Sequence, residues 1–234
     1  MSTRRTLIAA VVVVWLLEHV VPFGSLVLYP FTLMATWVHE MGHGLAALLL
    51  GGHLDHLEIF ADGSGLAHTS GTAGWRHAIV SAAGMLAPPL LGAVLLILSR
   101  GVRRARLALL ALAALMAVSV LLWVRSTAGL VSVPLVAAAT ALFAWRGSPG
   151  ERVWFTQLLA ITLALDTVGD MIPYALSSTA HVNGSDSRSD VGAIADALGG
   201  PYLLWGLLLI VAALALLALG LWAAWRVRPL NAET

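Results

Sequence analysis

The chain has 234 residues, 59% of them hydrophobic and 11% charged, with a net charge of +1 and a mean hydropathy of +0.90. An ordinary soluble domain carries about a quarter charged residues, and a chain of this size leaves much of its surface wet, so a water-soluble enzyme is excluded, as is a disordered tail. The 13 basic residues are all arginine and lie scattered between apolar runs, which excludes a polyanion groove and with it nucleic acid as a partner. Cysteine is absent, which rules out disulfides and thiolate metal sites.

A helix crosses the hydrocarbon layer with about 20 apolar residues, and seven stretches approach that length. The first, Leu7 to Val21, is short and closes at Pro22 and Gly24. The second runs from Leu26 to Leu50 and stops at Gly51-Gly52. His77 to Leu98 is the third, with Pro88-Pro89 in its interior, where a kink and freed carbonyls are expected. After a basic turn through Arg100, Arg103, Arg104 and Arg106 come Leu107 to Val124 and Leu130 to Trp145, separated by Arg125-Ser126-Thr127. A sixth stretch covers Val153 to Ile172 and a seventh Tyr202 to Trp225, ending at Arg226 and Arg228. Trp123, Trp145, Trp205, Trp222 and Trp225 fall mostly near span ends, as in an aromatic belt. Arg4-Arg5 before the first run is read as an uncleaved start, because no A-x-A site follows.

Two connecting segments are more polar than a simple link requires. His53 to Gly74 alternates Leu57 and Ile59 with His56 and Glu58, turns at Asp62-Gly63-Ser64-Gly65 and continues to Thr69, the pattern of a hairpin. Ser177 to Gly200 is rich in Ser, Gly and Asp, with a short helix expected from Asp190 to Leu198 and stopped by Gly199-Gly200-Pro201. Residues 1–234 therefore read as a single integral membrane domain. Its fold class is an all-α polytopic transmembrane bundle of about six to seven spans, carrying a β-hairpin-like loop after the second span. The lipid bilayer of the cell membrane is its expected location.

The second span contains His39-Glu40-Met41-Gly42-His43. Histidines at i and i+4 share one helix face about 6 Å apart, so both imidazoles can reach one ion at about 2.0–2.1 Å, the H-E-x-x-H arrangement of zinc peptidases. Glu40 is then suited to take the proton from the attacking water and deliver it to the leaving amine. Chance packing of polar residues is the competing reading, but an uncompensated carboxylate at this depth costs about 2.5–3.5 kcal/mol. Gly42 and Gly44 remove bulk beside the motif and permit close approach of a neighbouring helix or substrate backbone.

A catalytic zinc takes three protein ligands, so one more donor is needed. The other acids within apolar runs are Asp166 and Asp170, again at i and i+4, and either can complete the site while its neighbour hydrogen-bonds a ligand imidazole. Asp190 follows Ser189, and both are ready helix N-caps, which is the preferred reading; reach into the site is the alternative. The histidines His53, His56, His68 and His77 are read as solvated, with gating or a second metal as the alternative and His68 foremost. Glu18-His19 is read as interfacial, and Asn183-Gly184-Ser185 matches a glycosylation acceptor.

The H-E-x-x-H motif with Gly51-Gly52 and the strand-like loop, Ser81-Ala82-Ala83-Gly84 on the next span, the distal Asp166 to Asp170 and the later Ser189-Asp190 before Pro201 together resemble the site-2 protease family. These are intramembrane zinc metallopeptidases, and the likeness is to their compact branch. The resemblance implies Zn2+ as cofactor, a transmembrane protein or peptide as substrate, Glu40 as the catalytic base, and ligands from His39, His43 and the distal acids. The register of the family's Leu-Asp-Gly-Gly motif points to Asp166. Ala83-Gly84 is followed by Met85-Leu86-Ala87-Pro88 with no Asn, unlike the family's Ala-Gly-Pro motif with its following Asn. The rival function is a membrane metal-binding protein without proteolysis, as transporter, sensor or inactive scaffold. A transporter would stage acids and histidines across several spans, and here they concentrate in two.

Overall fold

A computed structural model describes residues 3–226; the side chains of Thr3, Arg4, Glu18, His19 and Asp170 lie outside the described set. Helix α1 (Thr3–His19) turns at Phe23, whose φ of 60° is left-handed, into α2 (Gly24–Leu49). The first hairpin, β1 (His53–Ile59) and β2 (Gly65–Ser70), precedes α3 (Trp75–Leu98). Then come α4 (Val102–Leu122), α5 (Thr127–Arg146) and α6 (Pro149–Asp166), which continues through a π-helical turn (Thr167–Met171) into α7 (Ile172–Ala175). A second hairpin, β3 (Thr179–Val182) and β4 (Ser185–Arg188), leads to α8 (Asp190–Leu198) and α9 (Tyr202–Trp225).

Five described segments are long and apolar enough to cross a membrane: α3, α4, α5, the run from Pro149 to Ala175, and α9. The chain is thus a multi-pass helical membrane protein. Its outward faces agree, with Leu121 76%, Val131 65% and Val211 66% exposed, as side chains bathed in lipid are. The long α2 stands outside that group because its apolar run is broken by the histidines and the glutamate it carries. At 26 residues it is still about 39 Å long, enough to span.

Helix α3 is the hub, packing against α2, α6, α8 and α9, with both Pro88 and Pro89 inside its continuous length. Small residues set its closest approaches. A Cβ on Gly42 of α2 would come within 2.6 Å of the Ala83 carbonyl, and one on Gly220 of α9 within 2.7 Å of Ala93 Cα. One buried apolar cluster centres on Trp37, Leu57, Leu109, Met116 and Leu159, where the Trp37 indole donates to Ser119 Oγ at 2.9 Å. A second, around Met85, Ala175, Val191 and Ala213, fixes α8 against α3 and α9. The N-terminus of α6 is closed by a capping box, Ser148 with Glu151.

The first hairpin is paired antiparallel in the register Leu57↔Ala67 and Ile59↔Gly65. The link between α4 and α5 holds it in place: Leu57 N–H donates to Trp123 O at 2.8 Å, Arg125 N–H to Leu57 O at 2.9 Å, and Ile59 N–H to Ser126 Oγ at 2.7 Å. The second hairpin corrects the sequence reading of residues 177–200, which foresaw only a polar loop and the helix now seen as α8. Asn183 (φ 47°) and Gly184 (φ 78°) form its left-handed two-residue turn, and the Asn-Gly pair is the strongest short-range hairpin signal.

Candidate metal centre and active site

One turn of α2 presents His39 and His43 on the same face, and α8 brings Asp190 to meet them. His39 Nε2 lies 3.0 Å from His43 Nε2 and 3.1 Å from Asp190 Oδ2, and Asp190 Oδ1 lies 3.4 Å from His43 Nε2. All three side chains are largely buried. His43 Nδ1–H donates to the carbonyl of Val80 on α3 at 2.9 Å, which sets the ring orientation and leaves Nε2 as the lone-pair nitrogen. Gly84, one turn further along α3, makes room for that ring: a Cβ there would overlap His43 Nε2 and Cε1.

The placement of Asp190 follows from its neighbour. Ser189 takes the N-cap of α8, its hydroxyl accepting from Gly192 N–H at 3.2 Å and donating to Ser177 O at 2.6 Å. Asp190 is thereby released from capping and enters the bundle, while its backbone N–H donates to the Tyr174 hydroxyl at 3.2 Å. Tyr174 also stands edge-on to His39, with ring centroids 6.3 Å apart.

These donors fit a divalent ion. Ligand atoms at about 2.0–2.1 Å around a tetrahedral zinc are about 3.3–3.4 Å from one another, close to the three observed separations. Two imidazoles and one carboxylate are also the chemistry that such an ion selects. Among the described residues the grouping on α2 is completed by Asp190, with all three ligand atoms within 4.8 Å. The sequence expectation placed the third ligand at Asp166 or Asp170. The structure puts Asp166 at the end of α6, on the wall of the adjoining cavity and outside that grouping, and the side chain of Asp170 lies outside the described residues.

The cavity is about 330 Å³ and is bounded by α2, the end of α6 with the turn after it, and both hairpins. His39, Glu40, Asp62, Asp166, Tyr174 and His181 contribute its polar surface. Glu40, 6% exposed, accepts a hydrogen bond from the backbone of Ala67 on β2, and Gly65 is bare where a Cβ would fall 2.8 Å from the Glu40 Cγ. Thr36 Oγ1 donates to Gly63 O at 2.6 Å, so the hairpin tip is tied to the same helix one turn earlier. At that tip the Ser64 hydroxyl and backbone N–H both donate to Asp62 Oδ1, at 2.6 and 2.9 Å, holding the Asp62 carboxyl below its usual range. The second hairpin closes over the tip, Asn183 N–H donating to Ser64 Oγ at 3.2 Å.

A family model described as Peptidase M50B-like matches residues 6–220, a stretch that contains every residue of this centre. The chain belongs to the M50B-like peptidases. No curated protein and no solved structure matches it. Membership in this metallopeptidase family agrees with the resemblance read from the H-E-x-x-H motif and its surroundings. The sequence reading preferred a helix-capping role for Asp190 and kept reach into the site as the alternative; the structure brings Asp190 to the two histidines, and Tyr174 beside it was not foreseen. The one available signal for Asp190 was the Ser-Asp pair, in which a single residue suffices to cap the helix.

Proposed function

We propose that the protein is an intramembrane zinc endopeptidase of the cell membrane that hydrolyses peptide bonds in membrane-embedded protein segments. The observation that carries this reading is the meeting of His39, His43 and Asp190 in one cluster, with His39 and its neighbour Glu40 lining a partly polar cavity within a helical membrane bundle. His39, His43 and Asp190 would hold the ion, with Asp190 in the ligand role that the sequence assigned to Asp166 or Asp170. When bound, zinc supplies Lewis-acid polarisation of the scissile carbonyl and acidifies a water toward a pKa of about 7.

The chain's own groups do the rest. Glu40 takes the proton of the attacking water and returns it to the leaving amine; the Ala67 N–H holds its carboxylate in position meanwhile. Tyr174 accepts from Asp190 N–H, which leaves its own O–H to be donated to the carbonyl oxygen as that oxygen gains charge. A transmembrane substrate must unwind before any carbonyl is accessible, because a helical backbone is hydrogen-bonded to itself. The unwound segment pairs with the edge of β2 that faces α2, as an added strand. Asp166, on the far side of the cavity, offers an acceptor to N–H groups the substrate has freed.

The test is Glu40→Gln in purified full-length protein, with zinc content and cleavage of a panel of membrane peptides measured side by side. Zinc is retained and cleavage falls by about 10²–10⁴-fold, the usual worth of a general base. If wild type and Glu40→Gln process the panel equally poorly, hydrolysis is not what the site does, and metal binding without proteolysis takes its place.

A further inference from the structure

The first hairpin carries a second cluster of metal-ligating side chains that the catalytic reading does not use. His56 on β1 stands directly opposite His68 on β2. Glu58 follows two positions along β1 on the same face, since side chains alternate along a strand. Leu57 and Ile59 point the other way and are fully buried in the bundle, so His56, Glu58 and His68 project from the hairpin's outer surface. The His56 and His68 rings stack with centroids 3.9 Å apart and planes inclined by 13°, and His68 Nε2 lies 3.1 Å from Glu58 Oε2. One ligand atom from each of the three residues falls within 4.8 Å of the others.

We propose that His56, Glu58 and His68 form a second site for a divalent transition metal on the outer face of the first hairpin. Three features carry the assignment. The donors are two imidazoles and a carboxylate, a set that suits zinc, copper or nickel and supplies too few oxygens for calcium or magnesium. The side chains of His68 and Glu58 are 38% and 32% exposed, so an ion reaches them from water, and open positions remain for solvent. The backbone beneath them is already fixed, by the ladder between β1 and β2 and by the hydrogen bonds from residues 123–126 to Leu57 and Ile59, so little order is lost when an ion binds. An ion there bridges β1 to β2 and so stiffens the strand whose backbone holds Glu40. The site is independent of the centre on α2.

The experiment counts Zn2+ in full-length protein in detergent, stripped with a chelator and then equilibrated at fixed free zinc, with affinities from calorimetry. Wild type binds two ions per chain and the double variant His56→Asn/His68→Asn binds one. His43→Ala removes the other, so failure of the catalytic reading shows as an unchanged count in that variant alone. Loss of an outer-sphere partner already costs about 10–100-fold in metal affinity, so His68→Asn weakens the second site by at least about 100-fold. Glu58→Gln, which keeps both imidazoles and the volume of the side chain, weakens it too, and this variant serves where the double variant does not fold. With Cu2+ in its place, and His43→Ala as the background so that the centre on α2 does not contribute, the electron paramagnetic resonance spectrum shows two nitrogen ligands that vanish when His56→Asn/His68→Asn is added. The proposal is overturned if a folded double variant, or Glu58→Gln, binds as many ions as tightly as wild type, or if wild type binds a second ion only at millimolar zinc.

Discussion

Gly84→Ala tests whether the centre depends on the close passage of α3 over His43. In the interior of a helix this substitution should by itself stabilise by about 1 kcal/mol, because alanine is the better helix former. The surroundings reverse the sign. Ordinary contact for a Cβ begins at about 3.4 Å, and at position 84 the new methyl would lie more than about 1 Å inside that limit against His43 Nε2 and Cε1. The ring has to move by about that much, breaking the Val80 hydrogen bond that orients it, and a misplacement of about 1 Å is worth about 10²-fold in rate. Overpacking of this kind costs about 1–3 kcal/mol, which outweighs the gain in propensity. The assay is zinc content, cleavage rate and thermal unfolding of Gly84→Ala beside Gly92→Ala, which lies on the same helix where the tightest contact is 3.3 Å, to Ala160 O. Zinc and activity should both fall in Gly84→Ala and stay near wild type in Gly92→Ala. A folded Gly84→Ala protein with full zinc and full activity refutes the placement of His43 under α3.

Further outcomes follow from the same geometry. Asp190→Asn should lose zinc on dialysis while Asp166→Asn keeps it, as elemental analysis of the two purified variants will show; the reverse result returns the ligand role to the sixth span. Tyr174→Phe should lower kcat by about 10²-fold or more with KM little changed, since a hydrogen bond made only as charge develops is lost; a change confined to KM would make Tyr174 a substrate-binding residue instead. Ser148→Ala should lower stability by about 1 kcal/mol in chemical denaturation, with no effect on zinc content, because the capping box of α6 lies far along the helix from Asp166.

What the sequence made legible was whatever is local. Helical spacing put His39 and His43 on one face, the turn residues Asp62 to Gly65 announced the first hairpin, and the apolar runs located the spans. The cost of burying a carboxylate in an apolar run singles out Asp166 and Asp170 but is silent about an acid in a polar connection such as Asp190. Asp190 arrives at the centre because α8 folds back against α3 and α9 through Val191 and Ile194, and the partners on α3, Ala78 and Met85, stand more than 100 residues away in the chain and leave no local trace. The second hairpin is a different case. Its Asn183-Gly184 turn was legible, but β4 is a short exposed strand, Ser185–Arg188, with none of the apolar alternation by which strands are recognised.

The clamp on β1 has a consequence for selectivity. With residues 123–126 occupying one edge of β1 and β2 the other, the hairpin leaves the outer margin of β2 as its open edge among the described residues, and that margin lies against α2 and the cavity. An edge reads main chain more than side chains. If a substrate segment pairs there, as proposed above, it would be sorted less by its particular amino acids than by how cheaply it surrenders its helix, and glycine- or proline-broken segments would be admitted where intact leucine helices are turned away.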